Sequence, residues 1–416
     1  MKPRVAVTGM GVVSSVGTGV PAFWSALTAG VSGAGPITLF DSAGFGTTFA
    51  CEVKNFDSSA VVDPKEARRM ERFTQFGLVA ASEALHDAGI AAGAAEAARM
   101  GVIVGSGIGG MQVFEDQCRT FIEKGPRRIS PFFVPMMIPD ITSGQISILF
   151  GLRGPNFAIV SACATAGHCI HVAMRLIQSG EADVMVAGGT EAAITHMGVG
   201  GFNAARALST RNDEPQRASR PFDRDRDGFV IGEGAGILIL EELEHARRRG
   251  ARIHAELLGA GASGDAYHVT APHPEGVGAR QAMLAALKEA SIATEELDYI
   301  NAHGTSTDVG DPAECMAIRS VIGAHADKLA VSATKSMTGH CLGAAGAIEA
   351  IVCIMAAKDD LIPPTINLEN QDPACNVYCV PNHAEHRTVR VAMSNSFGFG
   401  GHNSALVFAK AGFRNE

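Results

Sequence analysis

Phe157-Ala158-Ile159-Val160-Ser161-Ala162-Cys163-Ala164-Thr165-Ala166-Gly167-His168-Cys169-Ile170 passes from an apolar run into small residues and then into helical spacing. The apolar side chains Cys169, Val172, Ala173, Leu176 and Ile177 recur at the period of one helix face. The expectation is a buried strand over 157–160, a tight turn, and a helix. Cys163 falls at the strand-to-helix junction, where free amides and the positive end of a helix dipole favour a thiolate. A thiolate at such a turn suits covalent catalysis. A lone free cysteine is more often a small buried hydrophobe, so Cys163 needs partners elsewhere in the chain to be read as a nucleophile.

Working outward, 416 residues with 46% hydrophobic content, 48 Gly, one Trp and three Tyr describe a closely packed α/β protein. No uninterrupted apolar run has membrane-spanning length. The start, Met1-Lys2-Pro3-Arg4 before Val5-Ala6-Val7, breaks into Thr8-Gly9-Met10-Gly11 and reads as a first strand and turn, not a signal peptide. Nine scattered cysteines argue for reduced thiols, and Cys375 and Cys379 lack partners at zinc spacing. These features point to a cytoplasmic protein. A net charge of −9 argues against a general nucleic-acid binder. Two basic clusters remain. Lys65, Arg68, Arg69 and Arg72 are expected mostly on one helical face, and Arg127 and Arg128 in a loop. Either alone reads as solvated surface.

The chain also looks duplicated. Val160-Ser161-Ala162 recurs as Val331-Ser332-Ala333, and Gly167-His168-Cys169 as Gly339-His340-Cys341. More weakly, Val102-Ile103-Val104 entering Gly105-Ser106-Gly107 parallels Leu297 to Ile300 entering Ala302-His303-Gly304. Alternating strands and helices predict βαβ units and largely parallel sheets, with Val184 to Ala187 and Ile237 to Leu240 as strands buried on both faces. The expected division is 1–250 and 251–412. By this repeat, Lys335 and His340 fall at the counterpart of the Cys163 turn. Gly105-Ser106-Gly107-Ile108-Gly109-Gly110 matches a dinucleotide fingerprint formally, but no acidic residue ends a following strand, so nicotinamide binding is discounted.

Two further turns carry polar groups after strands: Asn301-Ala302-His303-Gly304-Thr305-Ser306-Thr307 and Thr334-Lys335-Ser336-Met337-Thr338-Gly339-His340. Active sites of α/β proteins gather at such strand ends. A Gly-rich turn, Asn395-Ser396-Phe397-Gly398-Phe399-Gly400-Gly401, can bring backbone amides close to a ligand.

These four segments, with Arg220-Pro221-Phe222-Asp223, Gly188-Gly189-Thr190-Glu191 and Asp227 to Gly234, resemble the β-ketoacyl-acyl-carrier-protein synthases from Val5 to Val407. The likeness is strongest to the type II elongating members. The resemblance implies a thiolase fold, a duplicated α/β architecture of five αβαβα layers, and a homodimer. It implies decarboxylative condensation of acyl- and malonyl-carrier protein with no cofactor. Cys163 would hold the acyl group, and His303 and His340 would donate to the enolate. The amides of Cys163 and Phe399 would form the oxyanion hole, and Phe399 would also gate the pocket. Lys335 would act either on the reacting charge or, as expected here, as a structural partner of Asp311 and Glu314, with Glu349 buried and paired. Ile108 and Phe202 would line the acyl pocket, Phe397 would contact substrate, and Thr305 and Thr307 would hold the pantetheine arm. Acidic carrier protein would dock on Lys65, Arg68, Arg69, Arg127, Arg128 and Arg206. A monovalent cation would sit near Asn301, Glu349, Ser394 and Asn395. Polyketide ketosynthases usually carry Asp-Thr-Ala-Cys-Ser-Ser-Ser at the nucleophile, thiolases a second catalytic cysteine, and initiating synthases Cys-His-Asn. Chain-length partners lack the cysteine altogether, so none of these fits.

Overall fold

The computed structural model describes residues 2–94 and 96–415. Its first strand, β1 (Val5–Ser14), is buried along its whole length. The turn expected at Thr8–Gly11 is absent. Gly9 and Gly11 instead let helix α1 (Arg72–Asp87) press onto the strand: a Cβ at Gly9 would stand 2.1 Å from the Ala84 carbonyl oxygen, and at Gly11 1.9 Å from that of Ala80.

Leaving aside two-residue pairings off the main path, the central sheet takes four more strands before residue 250: β2 (Met100–Gly105), β3 (Asn156–Phe157), β4 (Val184–Glu191) and β5 (Gly234–Glu242). Five come after it: β6 (Ala255–Gly264), β7 (Tyr299–Asn301), β8 (Ala330–Ser332), β9 (Val391–Gly398) and β10 (His402–Lys410). All belong to one sheet, in the order β8-β7-β9-β10-β6-β1-β5-β4-β2-β3. Each set of five has the same internal order, β1-β5-β4-β2-β3 and β6-β10-β9-β7-β8. The directions match too. The pairs β2/β3 and β2/β4 are parallel while β4/β5 and β5/β1 are antiparallel, and the second set repeats this pattern. The sets meet where Val5–Val7 pairs antiparallel with Ala255–Leu257.

Helix α2 (Met111–Lys124) follows β2. Helices α3 (Thr165–Gln178) and α6 (Ala345–Asp359) lie between the two halves of the sheet, α6 touching both β5 and β9. On the far side, α4 (Val277–Ala290) covers β6 and β10 and packs on α5 (Gly310–Ile322). The result is α, β, α, β, α in five layers. Residues Ala345 to Ala357 of α6 are buried on every side, as a central-layer helix apolar all round should be.

Three expectations need correction. The sheet is mixed, not largely parallel: β4 and β5 run antiparallel although both read as continuous apolar runs. Such runs report burial on both faces, which helices above and below supply in either direction. The 157–160 run is not a buried strand. β3 pairs over two residues at the sheet's free edge, and Phe157 and Val160 are 41% and 52% exposed. The register of the repeat is also different. Cys163 sits in a one-turn 3-10 segment, Ala162–Ala164, that opens α3, and its structural equivalent is Leu342–Ala344, which opens α6. Both turns begin on a left-handed residue, Ala162 at φ 50° and Leu342 at φ 44°. Gly343 therefore corresponds to Cys163, and Lys335 and His340 lie before the counterpart turn rather than in it. The connection after β8 contains an extra short helix, Lys335–Thr338, and matching small-residue tripeptides across it slides the alignment.

Candidate active site

The Cys163 turn, the loop after β7, the connection after β8 and the β9–β10 hairpin converge on one cavity of about 480 Å³. Cys163, His303 and His340 line it, with Ile108, Phe202, Thr305, Thr307, Phe397 and Phe399, so the predicted substrate-side residues are all brought together. His340 Nε2 lies 3.0 Å from Cys163 Sγ. The His303 and His340 rings meet edge to face, with centroids 5.3 Å apart.

Each histidine is held from behind. The amides of His303 and Gly304 both donate to Glu314 on α5, at 2.8 Å each. The His340 amide donates to the Val230 carbonyl at 2.7 Å, and the Phe229 ring stands edge-on to its imidazole at 5.3 Å. Burial, with Lys335 nearby, holds both imidazoles well below their ordinary titration range, so both rings are neutral. Neither Nδ1 has a protein partner.

The thiol differs from expectation. Burial pushes Cys163 up to about 12, against the pull of Lys335 and of the amides of Phe399 and Cys163. The start of α3 is where predicted, but desolvation outweighs the Lys335 charge and the two amides, which favours a protonated resting thiol. The two amides that face the sulfur are the pair expected to form an oxyanion hole.

Lys335 is buried, and its amine pairs with Glu349, not with Asp311 or Glu314. Asp311 instead accepts the amides of Phe222 at 2.8 Å and Ser306 at 3.1 Å, with Arg226 Nε 3.9 Å away. Lys335 does not line the cavity. Its charge nonetheless bears on Cys163, both histidines and Glu314.

Glu191 was not assigned a role from sequence. Fully buried at the end of β4, it accepts from Ser106 Oγ (2.6 Å) and from the amides of Gly107 (2.8 Å), Ile108 (3.3 Å) and Gly343 (3.0 Å). It therefore braces the loop that carries Ile108. It also occupies amides that a dinucleotide phosphate would need, which removes the fingerprint reading. Buried carboxylates of this kind leave no periodic signal in a sequence; only their place at a strand's end could have flagged them.

At the mouth, Thr305 and Thr307 hydroxyls lie 3.2 Å apart, and Phe399 faces Phe202 at 6.4 Å between centroids. Gly400 and Gly401 take left-handed φ of 83° and 73°, which shapes the loop after Phe399. The predicted basic face is not one helix face. A short helix, Pro64–Ala67, stops before α1, and Arg72 turns inward to Glu233, with Nη2 2.7 Å from Oε1. Lys65, Arg68, Arg69, Arg127, Arg128 and Arg206 are exposed. Arg69 stacks over Phe132 at 4.9 Å, which joins the two clusters, and Arg206 reaches the cavity itself.

Behind the site, Asn301 and Ser394 face each other in register on β7 and β9. Asn301 Oδ1, Glu349 Oε2, Ser394 Oγ and Asn395 Oδ1 are all buried without a partner. Buried oxygens left unpaired are the donors that a hard cation takes.

The family model described as "Beta-ketoacyl synthase, N-terminal domain" matches residues 2–246, and "Beta-ketoacyl synthase, C-terminal domain" matches residues 254–369. The chain belongs to the β-ketoacyl synthase family. Among curated relatives, it is 53% identical over 409 residues to "3-oxoacyl-[acyl-carrier-protein] synthase 2" of Coxiella burnetii, covering 98% of this chain and 99% of that one. It is 52% identical over 411 residues to the protein of that name in Vibrio cholerae, with the same coverage of both chains. Among solved structures, a β-ketoacyl synthase from Burkholderia phymatum superposes with a TM-score of 0.92 at 37% identity, covering 99% of this chain and 100% of the other. A type II polyketide ketosynthase solved with its acyl-carrier protein superposes with a TM-score of 0.91 at 33% identity over the same shares.

Proposed function

We propose that this protein condenses acyl-carrier protein with malonyl-carrier protein, giving 3-oxoacyl-carrier protein, carbon dioxide and free carrier protein, and so elongates fatty acids. The observation that carries the reading is a buried thiol 3.0 Å from a neutral histidine, with a second neutral histidine beside it in one apolar cavity. Cys163 Sγ attacks the acyl thioester carbonyl. The carrier's pantetheine thiolate leaves and takes up the proton that the cysteine gives up. The oxyanion of each tetrahedral intermediate is met by the amides of Cys163 and Phe399.

Malonyl-carrier protein then enters. Its carboxylate leaves as carbon dioxide, and the electron pair of that bond becomes the enolate. N–H groups of His303 and His340 donate to the enolate oxygen as its charge develops. The enolate carbon attacks the acyl-Cys carbonyl, and the sulfur leaves as a thiolate and takes up a proton from solvent. Lys335, paired with Glu349, supplies a fixed positive charge. Thr305 and Thr307 hold the pantetheine arm, Ile108 and Phe202 line the acyl pocket, Phe397 contacts substrate beside His303, and Phe399 gates the pocket. A monovalent cation on Asn301, Glu349, Ser394 and Asn395 would balance the buried Glu314 and Glu349 charges. Calorimetric titration of K⁺ or Na⁺ into metal-stripped protein tests this without an assay.

The division at 1–250 and 251–412 puts the nucleophile on one half and the histidines, Lys335 and Phe399 on the other; the two matching strand sets support it. Acidic carrier protein docks on the joined basic clusters around Arg69 and Phe132. Exposed Ile148, Phe157 and Val160 at the free sheet edge support a homodimer. Nine unpaired cysteines, with no helix among the described residues long and apolar enough to cross a membrane, support a cytoplasmic location. The higher identity to the curated fatty-acid enzymes favours that role over polyketide synthesis, and Cys163 speaks against a chain-length partner. The test is incubation with malonyl-carrier protein and a series of acyl-carrier proteins, followed by mass analysis. Products two carbons longer support the reading. Acyl-enzyme that forms but never extends overturns it.

A further inference from the structure

Ala162 holds a left-handed backbone conformation without being glycine, immediately before the nucleophile. Such strain persists only where the surroundings over-determine it. The preceding residue, Ser161, is the point of attachment. Its amide donates to Thr165 Oγ1 at 2.9 Å, and its hydroxyl lies 2.7 Å from His168 Nδ1. The other nitrogen of that ring, Nε2, lies 3.2 Å from the Asn403 carbonyl oxygen. A carbonyl can only accept, so Nε2 carries the hydrogen; in a neutral ring Nδ1 then accepts, and the Ser161 hydroxyl donates to it. Partial burial keeps His168 below its ordinary range, consistent with a neutral ring.

Asn403 sits at the base of the loop that carries Phe399. It pairs with Phe397 across the β9–β10 hairpin, and its side chain donates to Asp265 Oδ1 at 2.7 Å and to the Gly401 carbonyl at 3.2 Å. The same hairpin presses on the nucleophile turn directly: a Cβ at Gly398 would lie 2.9 Å from the Ser161 carbonyl oxygen and 3.0 Å from the Cys163 amide.

We infer that His168 is a positioning residue, fastening the Cys163 turn through Ser161 to the base of the Phe399 loop through Asn403, so that nucleophile and gate keep one fixed spacing. The inference deepens the condensing function proposed above and rests on it for its kinetic consequence. Its imidazole does not line the cavity, so its effect on the reaction passes through the backbone it holds.

The experiment compares His168→Ala, Ser161→Ala, the double variant and His168→Gln in the full-length protein, with folding checked by circular dichroism. Misplacing a reacting group by an ångström is enough to slow a reaction on the order of a hundredfold. The expected result is a fall in kcat of about tenfold or more in both single variants, with KM for malonyl-carrier protein little changed. The double variant falls no further than the worse single one, because both break the same link. His168→Gln, whose amide can still donate to the Asn403 carbonyl, recovers part of the rate. Iodoacetamide alkylation of Cys163, read by mass, reports the turn without the condensation assay. If the wild-type protein does not condense at all, the alkylation rates alone decide: altered in Ser161→Ala and His168→Ala supports the link, unchanged in both overturns it. Wild-type kcat in either folded single variant, or losses that multiply in the double, also overturns it.

Discussion

At Ala162–Ala164 and Leu342–Ala344 the chain takes the same path twice, from a left-handed residue into a helix of the central layer. The first turn presents Cys163 to a cavity opposite His340. The second presents Gly343 to a wall. A Cβ there would lie 2.3 Å from the Gly107 nitrogen, and its amide is taken by Glu191 at 3.0 Å. At the position of His168 in the first copy, the second has Ile348, buried in the core. Identical local geometry thus becomes chemistry only where there is open space and a polar partner. The other copy has become a brace for the loop that shapes the pocket.

The sharpest way to break this contrast is Cys163→Ala, which should abolish acyl-enzyme formation. Acylated variant protein detected by intact mass would remove the first turn from the chemistry. Next, His303→Ala and His340→Ala should keep acylation but lower condensation by about a hundredfold or more, the usual loss for one donor to a developing oxyanion. Turnover near wild type in either would take that histidine out of the site. The protonated resting thiol gives a sign to pH dependence. With Cys163 raised to about 12, the thiolate fraction, and with it the alkylation rate, should climb about tenfold per pH unit through pH 7–10. A plateau below pH 9 would refute the assignment.

Gly343→Ala probes the second turn. Forcing a methyl against backbone should destabilise by about 1–3 kcal/mol, read as a lowered urea midpoint with the acyl-enzyme still forming. An unchanged midpoint would show that the turn is not packed as described. The smallest effect is expected at the surface: Arg68→Glu with Arg69→Glu should raise KM for carrier protein several-fold and leave small thioester analogues alone. Equal effects on both substrates would argue against docking there.

Much of this was legible in the residues. The turns bearing Cys163, His303 and His340 and the glycine loop at Phe399 do meet in one cavity, although the strand before Cys163 ends at Phe157 and a short helix separates His340 from β8. The weaker of the two repeat matches was the sound one: β2 and β7 hold equivalent places in their strand sets. The stronger match misled, because two tripeptides can agree by chance and do not register the inserted turn of helix at Lys335–Thr338. Strand direction was not legible, since apolar runs encode burial and not polarity. The exposure of Phe157 and Val160 was hidden for a related reason: an apolar run at an uncovered sheet edge reads like one in the core. The partners of Lys335 and the bracing by Glu191 depend on which buried charges meet in three dimensions, and no spacing in the sequence specifies that.

The burial that keeps Cys163 protonated has a consequence for oxidative stress. Peroxide attacks thiolates, and progression to sulfenic and sulfinic acids follows thiolate character and access. A neutral and largely buried sulfur should therefore be oxidised by peroxide more slowly than an exposed thiol of ordinary pKa, which intact-mass analysis of peroxide-treated protein would read.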